Sequence, residues 1–249
     1  LSEGGFDFIE QGPPQGHTLL LLHGLFGALS NWQGVLGAFG GRYRVLIPLL
    51  PIYESKKVQP SVEGLAAFVA DFVNARRLHN MTLIGNSLGG HIGLMYTLAH
   101  PERVHSLVLT GSSGLFEAGM GIGYPRRGDP DYLRERVEFT FYEKSVATPE
   151  LVAEVYRVVN DRLAALRIVN IARAAQRMNM REAIRRIAVP TCLIWGLNDN
   201  ITPPPVAHEF HRLIRDSDLH FIDRCGHAAM MERPAEFNTI LEGFLQRAG

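Results

Sequence analysis

The amino-acid sequence predicts an α/β protein with a mostly parallel, doubly wound sheet and an inserted helical cap. Three observations lead to this prediction. Short apolar runs alternate with segments of helical period, several of those runs are continuously apolar, and one long stretch is helical throughout. Continuous apolar runs are typical of strands buried on both faces of a parallel sheet, and regular alternation with helices indicates that helices cover both faces.

The apolar runs predict the strands. Residues 6–10 alternate between apolar and polar side chains, which predicts an edge strand. Residues 18–22 read Thr-Leu-Leu-Leu-Leu and predict a strand that is buried on both faces of the sheet. Further strands are predicted at residues 43–48, 81–84, 104–110, 191–195 and 219–222. Ligands of such sheets bind at the edge formed by the carboxyl ends of the strands.

Helices are predicted between these strands. Apolar residues recur three or four apart over residues 61–78, and Ser61 is placed to cap that helix. The other helices outside the cap are predicted at residues 31–40 (capped by Ser30 or Asn31), after residue 87, and at residues 234–247.

Residues 114–188 interrupt the alternation, because they contain helical segments and no convincing buried strand. A stretch of this length is too long for a loop in a compact domain. We therefore predict a helical cap at 114–188, inserted into a core made of residues 1–113 and 189–249. Glycines at positions 119, 121 and 123 predict a mobile hinge or gate at the start of the cap.

Composition narrows the class of protein. The 249 residues carry no formal net charge and are 46% hydrophobic, so there is no overall basic field to attract nucleic acid or an anionic membrane. Two cysteines make no disulfide framework, and no apolar run is long enough to span a membrane. We expect a cytoplasmic protein without cofactor or metal, acting on a small molecule; its oligomeric state stays open.

The candidate nucleophile is Ser87. Residues 85–89 read Gly-Asn-Ser-Leu-Gly, between a predicted buried strand and a predicted helix. The pattern G-x-S-x-G in that context is typical of a nucleophile elbow, whose small flanking residues let strand and helix approach closely. The start of the helix also favours developing negative charge near the serine. The alternative is a glycine-rich turn with a capping serine.

The candidate acid and base follow the last two predicted strands. Asp199 comes soon after the strand at 191–195, and His227 follows the strand at 219–222. Both would therefore lie at the same sheet edge as Ser87, with Asp199 orienting His227 as general base. The order Ser, Asp, His along the chain is the one expected for a nucleophile elbow. Taken alone, Asp199 would be interpreted as a turn residue.

Backbone N–H groups are the candidates for an oxyanion hole. His23-Gly24-Leu25-Phe26 follows the strand at 18–22 and turns across the top of the sheet. The N–H groups of Leu25 (or of Phe26 in its place) and of Leu88 would bind the substrate oxygen, a contribution of about 3 kcal/mol per donor in other enzymes. His23 itself is expected to hydrogen-bond the loop backbone and to transfer no proton.

These motifs resemble the α/β-hydrolase superfamily over essentially the whole chain. The sequence is similar to its cap-bearing serine hydrolases, including carboxylesterases and meta-cleavage-product C–C hydrolases. The similarity to the C–C hydrolases rests on residues 85–90, on residues 193–199, and on Cys225-Gly226-His227 with Glu232 and Phe237-Asn238. Two positions depart from it. Ala228 stands where the C–C hydrolases usually carry tryptophan, and residues 48–53 lack the common Asp-x-Pro-Gly turn.

A cofactor-free carboxylesterase for small, mostly apolar esters is the function we expect. The alternatives are C–C bond hydrolysis of a meta-cleavage-type dienoate by the same residues, and a low-turnover ligand-binding or signalling protein on the same fold. Candidate substrate contacts are Asn86, Met231, and a cap arginine, Arg173 or Arg177, which would bind a carboxylate. For the arginines the alternative is a solvated helix face.

Overall fold

A computed structural model describes residues 1–26, 29–53, 58–118, 126 and 128–248. Its centre is one sheet with the strand order β1-β2-β4-β3-β5-β6-β7-β8. The strands are β1 (Ser2–Glu3), β2 (Phe6–Gln11), β3 (Thr18–Leu22), β4 (Arg44–Pro48), β5 (Met81–Asn86), β6 (Val104–Thr110), β7 (Thr191–Gly196) and β8 (Ser217–Ile222). The β1–β2 and β2–β4 pairs are antiparallel and the other pairs are parallel.

Helices cover both faces of this sheet. They are α1 (Gln33–Phe39), α2 (Val62–Ala75), α3 (Leu88–Ala99), α4 (Pro130–Glu138), α5 (Pro149–Asn160), α6 (Arg162–Arg177), α7 (Arg181–Ile184), α8 (Pro204–Leu213), α9 (Ala229–Glu232) and α10 (Pro234–Ala248). Along β3, Leu20 and Leu22 belong to the hydrophobic cluster that includes α2, α3 and α8, while Leu19 and Leu21 belong to the cluster on the other face, which includes α1 and α10. This confirms the predicted α/β class and doubly wound sheet.

Every predicted strand is present, with ends that differ by at most two residues. The sequence missed β1, α8 and the short α9. Two residues are too few to show alternation, which hid β1. Three consecutive prolines, Pro203 to Pro205, look like a loop, yet they form the N-cap and first turn of α8, where a missing N–H costs nothing.

The helix caps were predicted with mixed success. Ser61 does cap α2, its Oγ accepting a hydrogen bond from the Gly64 N–H at 3.1 Å. The predicted caps of α1, Ser30 and Asn31, are wrong: a 3₁₀ turn at Leu29–Trp32 precedes the helix, and Trp32 occupies its N-cap position without a side-chain bond.

Within the described part of residues 114–188 there are helices α4 to α7 and no strand. These helices follow β6 and precede β7, so they leave the sheet at its centre and return to it. The boundaries of the cap at 114 and 188 remain a prediction, and the predicted glycine hinge at 119–123 lies outside the described residues. No helix in the described ranges combines the length and apolarity needed to cross a membrane.

Candidate active site

Ser87 lies on a strained turn between β5 and α3. Its backbone has φ 54° and ψ −119°, a conformation rare for a residue with a side chain. The turn is closely packed, since a Cβ on Gly85 would lie 2.5 Å from the Gly89 carbonyl oxygen, and one on Gly89 would collide with the Leu22 carbonyl. The flanking glycines thus permit the geometry expected of a nucleophile elbow.

Asp199 and His227 are joined by a buried hydrogen bond. The Asp199 Oδ2 accepts from His227 Nδ1 at 2.9 Å, and the residues are only 2% and 7% exposed. Asp199 also accepts from the backbone N–H groups of Ile201 and Thr202, at 2.8 and 2.9 Å, and from the Thr202 hydroxyl at 2.8 Å. It is therefore both the turn residue and the histidine partner considered from the sequence.

This bond fixes the tautomer of His227. The carboxylate only accepts, so the Nδ1 of His227 carries the proton and Nε2 is left as a base. Burial by itself lowers the pKa of His227, but the charge and hydrogen bond of Asp199, with the more distant Glu117 carboxylate, raise the pKa above its usual value. The arrangement gives an oriented candidate general base that lines the same cavity as Ser87.

The loop after β3 lies against Ser87. A Cβ built on Gly24 would be 3.2 Å from the Cβ of Ser87. His23 holds this loop, because its Nε2 accepts from the Leu50 N–H at 3.0 Å and its Nδ1 donates to the Gly24 carbonyl at 2.9 Å. Both ring nitrogens are thus used by backbone, which confirms the structural role expected for His23.

Two side chains orient the candidate oxyanion donors. The Gly24 carbonyl held by His23 belongs to the same peptide unit as the Leu25 N–H, and in a trans peptide the two point in opposite directions. The Leu25 carbonyl accepts from the Tyr53 hydroxyl at 3.0 Å, which orients the Phe26 N–H in the same way. Leu88 begins α3, so its N–H has no partner within the helix.

A cavity of about 290 Å³ opens over these groups. Ser87, His227, Leu25, Phe26 and Leu88 all line it. The remainder of the wall is mostly aliphatic and comes from α4 to α6 and the segment between α4 and α5: Val137, Phe141, Leu151, Val155, Val159, Ala165, Ile168, Val169, Ile171, Ala172 and Ala175. Side chains of this kind bury an apolar acyl or alkyl group at about 0.8 kcal/mol per CH₂.

The predicted substrate contacts are only partly brought together. Met231 and Asn86 line the cavity. However, the Asn86 Nδ2 donates to the backbone carbonyls of Thr110 and His227, at 3.0 and 3.2 Å, so its amide holds the histidine loop. The prediction for Arg173 and Arg177 is wrong, because both are exposed and neither belongs to the cavity wall.

Several polar groups of the site were missed from the sequence. Arg136 of α4 lines the cavity, as does Glu117, whose Oε2 accepts from the Ser113 hydroxyl at 2.6 Å. Neither residue lies in a motif, and only the fold brings them to the sheet edge. Glu232 was noted only for its family likeness, yet it is buried and bonds the backbone beside His227. In the residues described, no group of three or more His, Cys, Asp or Glu is arranged to hold a metal ion.

Comparison with known proteins gives the family. A model described as the alpha/beta hydrolase family matches residues 19–240. The chain is 28% identical to the 2-hydroxy-6-oxo-6-(2'-aminophenyl)hexa-2,4-dienoic acid hydrolase of Metapseudomonas resinovorans, over 99% of this chain and 90% of that protein.

Two solved structures are similar over nearly the whole chain. One is MGS-MChE2, an alpha/beta hydrolase enzyme from the metagenome of sediments of the Mar Chica lagoon in Morocco, with 41% identity, a TM-score of 0.80, and 99% of this chain and 97% of that chain covered. The other is a bacterial membrane phospholipase A, with 26% identity, a TM-score of 0.84, and coverage of 100% and 85%. The match to the family model over most of the chain and the 41% identity together establish that this chain is a hydrolase of the alpha/beta hydrolase family.

Proposed function

We propose that the protein is a carboxylesterase that hydrolyses small esters with an apolar acyl group. The observation that carries this proposal is the cavity: the candidate nucleophile and base open into a space walled mostly by aliphatic side chains. A neutral apolar acyl group gains free energy by leaving water there, whereas a charged group would need a partner.

The proposed reaction runs through an acyl-enzyme. Ser87 Oγ attacks the ester carbonyl while His227 Nε2 takes its proton, and the N–H groups of Leu25 and Leu88 hold the oxyanion. The proton then passes to the departing alcohol. Water, activated by His227 in turn, releases the carboxylic acid and restores Ser87. The Asp199 carboxylate stabilises the imidazolium formed in both halves of the cycle.

Ester turnover and covalent labelling test this proposal. We expect the wild type to hydrolyse p-nitrophenyl acetate and butyrate and to gain one fluorophosphonate adduct by intact mass. Ser87→Ala should lose both, with turnover falling by roughly 10⁴-fold or more. Ser145→Ala, at an exposed serine of the cap segment, is the control and should behave as the wild type. Labelling without turnover would favour the C–C hydrolase or the ligand-binding alternative, and absence of both in folded protein would reject the proposal.

C–C bond hydrolysis is a second candidate function, supported by the name of the Metapseudomonas relative, a dienoic acid hydrolase. Such a substrate carries a carboxylate, which calls for a cation in the cavity. Arg136 lines the wall and is placed to supply one. Against this stand the aliphatic wall and Ala228, which lines the cavity directly after His227.

Arg136→Gln separates the two candidates. If the substrate is a neutral ester, KM for p-nitrophenyl butyrate should change by less than about threefold, because such an ester forms no charge pair with the Arg136 guanidinium. If dienoates are the better substrates, their KM should rise by roughly 10- to 100-fold in the same variant, which corresponds to the loss of a charge-assisted bond. Arg134→Gln, at an exposed position of α4, is the matched control.

A further inference from the structure

His227 is held by backbone bonds that come from two directions. Its N–H donates to the carbonyl of Thr140 at 2.8 Å, in the segment between α4 and α5. Its own carbonyl accepts from the Asn86 side chain of the core. The candidate general base is thus fixed between the predicted cap and the sheet, and a shift of residues 140–143 would be transmitted directly to it.

Glu232 secures the same contact. This carboxylate lies at the end of α9 and is 6% exposed. One of its oxygens, Oε1, accepts from the Glu143 N–H at 2.5 Å, and the other, Oε2, accepts from the Gly226 N–H at 2.6 Å. The side chain therefore bridges the 140–143 segment and the residue immediately before His227.

The two segments are packed without space between them. A Cβ on Gly226 would lie 2.5 Å from the carbonyl oxygen of Thr140 and 2.8 Å from the Cα of Phe141. Only glycine allows the backbones to approach this closely. Three contacts therefore hold the 140–143 segment against the peptide that precedes His227: the Glu232 bridge, the hydrogen bond to the Thr140 carbonyl, and the close packing at Gly226.

We propose that Glu232 is a positioning residue for catalysis, which holds His227 in register with Ser87 by clamping the 140–143 segment to the histidine loop. The inference rests on the proposed role of His227 as general base. Two N–H donors that converge on one buried side chain need two acceptors, and an ionised carboxylate supplies both with charge-assisted bonds. An amide of the same shape would present its NH₂ group to one of the donors and release one segment.

Catalysis is sensitive to such a release. A displacement of about 1 Å in a catalytic group is enough to cost roughly 100-fold in rate, even when the cause lies outside the reacting atoms. Substrate binding depends instead mainly on the aliphatic side chains of α5 and α6, whereas Glu232 does not line the cavity and only Thr140 and Phe141 of the clamped segment do. Loss of the clamp should therefore appear in kcat and leave KM nearly unchanged.

Glu232→Gln tests the clamp, with Glu236→Gln as control, because Glu236 is exposed at the start of α10. We expect kcat for p-nitrophenyl butyrate to fall about 10- to 100-fold in Glu232→Gln, with KM within about twofold. The downfield proton NMR signal of the His227 Nδ1–H should broaden or vanish in this variant and persist in Glu236→Gln. Wild-type kcat with the signal retained would overturn the proposal.

Gly226→Ala disturbs the same contact while leaving the carboxylate in place. Its Cβ would push against Thr140, so we expect the same selective loss of kcat and of the NMR signal. An unchanged kcat in this variant would also count against the clamp. Failure of Ser87→Ala to lower turnover would reject the esterase proposal itself, whereas normal behaviour of Glu232→Gln beside an inactive Ser87→Ala would reject the clamp alone.

Discussion

At the scale of single residues, the site consists of polar groups that fix the direction of one another. His23 illustrates this: burial lowers its pKa to about 4, so it stays neutral across the physiological range. A neutral ring keeps one donor and one acceptor, and both are used to hold the loop that carries the Leu25 N–H. A histidine that titrated near neutrality would lose its acceptor and release Leu50.

Glu117 should contribute to the acidic limit of activity. Its carboxylate contributes to the raised pKa of His227, and His227 must be neutral to accept the Ser87 proton. Removal of the negative charge in Glu117→Gln lowers that pKa, so the acidic limb of kcat/KM should move to lower pH. The pH profile of p-nitrophenyl butyrate hydrolysis measures this directly. Glu135→Gln, at an exposed position of α4, should leave the limb in place; a shift toward higher pH in Glu117→Gln would contradict the prediction.

Tyr53→Phe should slow the reaction without weakening binding. The hydroxyl holds the Leu25 carbonyl at 3.0 Å, and this bond orients the peptide between Leu25 and Phe26. A bond of this kind contributes about 0.5–1.5 kcal/mol, so kcat should fall by roughly 2- to 10-fold. The exposed Tyr142 provides the control, since Tyr142→Phe removes a hydroxyl for which no hydrogen bond to that peptide is seen. An unchanged kcat in Tyr53→Phe would show that the loop keeps its orientation by itself.

At the scale of elements, the turn between β5 and α3 stores strain. Ser87→Gly should be more stable than Ser87→Ala by about 1 kcal/mol in urea unfolding, because glycine tolerates φ 54° and ψ −119° while alanine does not. Both variants should be inactive. At Ser145, in a 3₁₀ turn without positive φ, the order should reverse and alanine should be the more stable. Equal stability of the two Ser87 variants would mean that the turn relaxes when the hydroxyl is removed.

Elements with a strong local pattern were predictable, and those without one were not. The continuous apolar run at 18–22 gave β3 with its observed ends, since a strand buried on both faces leaves no polar position to blur the pattern. By contrast, α8 begins inside a run of prolines. In α6 the arginines are spread along the whole helix, but Arg173 and Arg177 are exposed to solvent, whereas Ala165, Ala172 and Ala175 line the cavity.

At the scale of the whole molecule, the topology explains which site residues the sequence revealed. Parallel strands bring their carboxyl ends to one edge, so residues after β3, β5, β7 and β8 had to meet there, and Asp199 and His227 do. Glu117 and Arg136 reach the cavity from the helical excursion, whose path over the sheet no local pattern encodes. The same excursion supplies Thr140 and Glu143, which make the contact around His227.

Reactivity of the two cysteines should show whether the protein unfolds as a whole or opens locally at the loop that carries His227. Cys192 in β7 and Cys225 near His227 are free and fully buried. Burial raises the pKa of the Cys192 thiol to about 12. Burial also raises the pKa of the Cys225 thiol, and the negative charge of Glu232 raises it further. Since the thiolate is the reactive form, iodoacetamide should add nothing to the native protein at mildly alkaline pH and should add two groups after denaturation.

Labelling at intermediate urea concentrations then distinguishes global from local opening. If the histidine loop is as firmly held as its bonds to Thr140 and Glu232 indicate, Cys225 should react together with Cys192, at the rate of global unfolding. A single early adduct on Cys225 in the wild type would instead show that the loop opens by itself. In Glu232→Gln that early adduct is the expected result, because the loop loses its bridge to the 140–143 segment while β7 stays paired with β6 and β8 in the sheet.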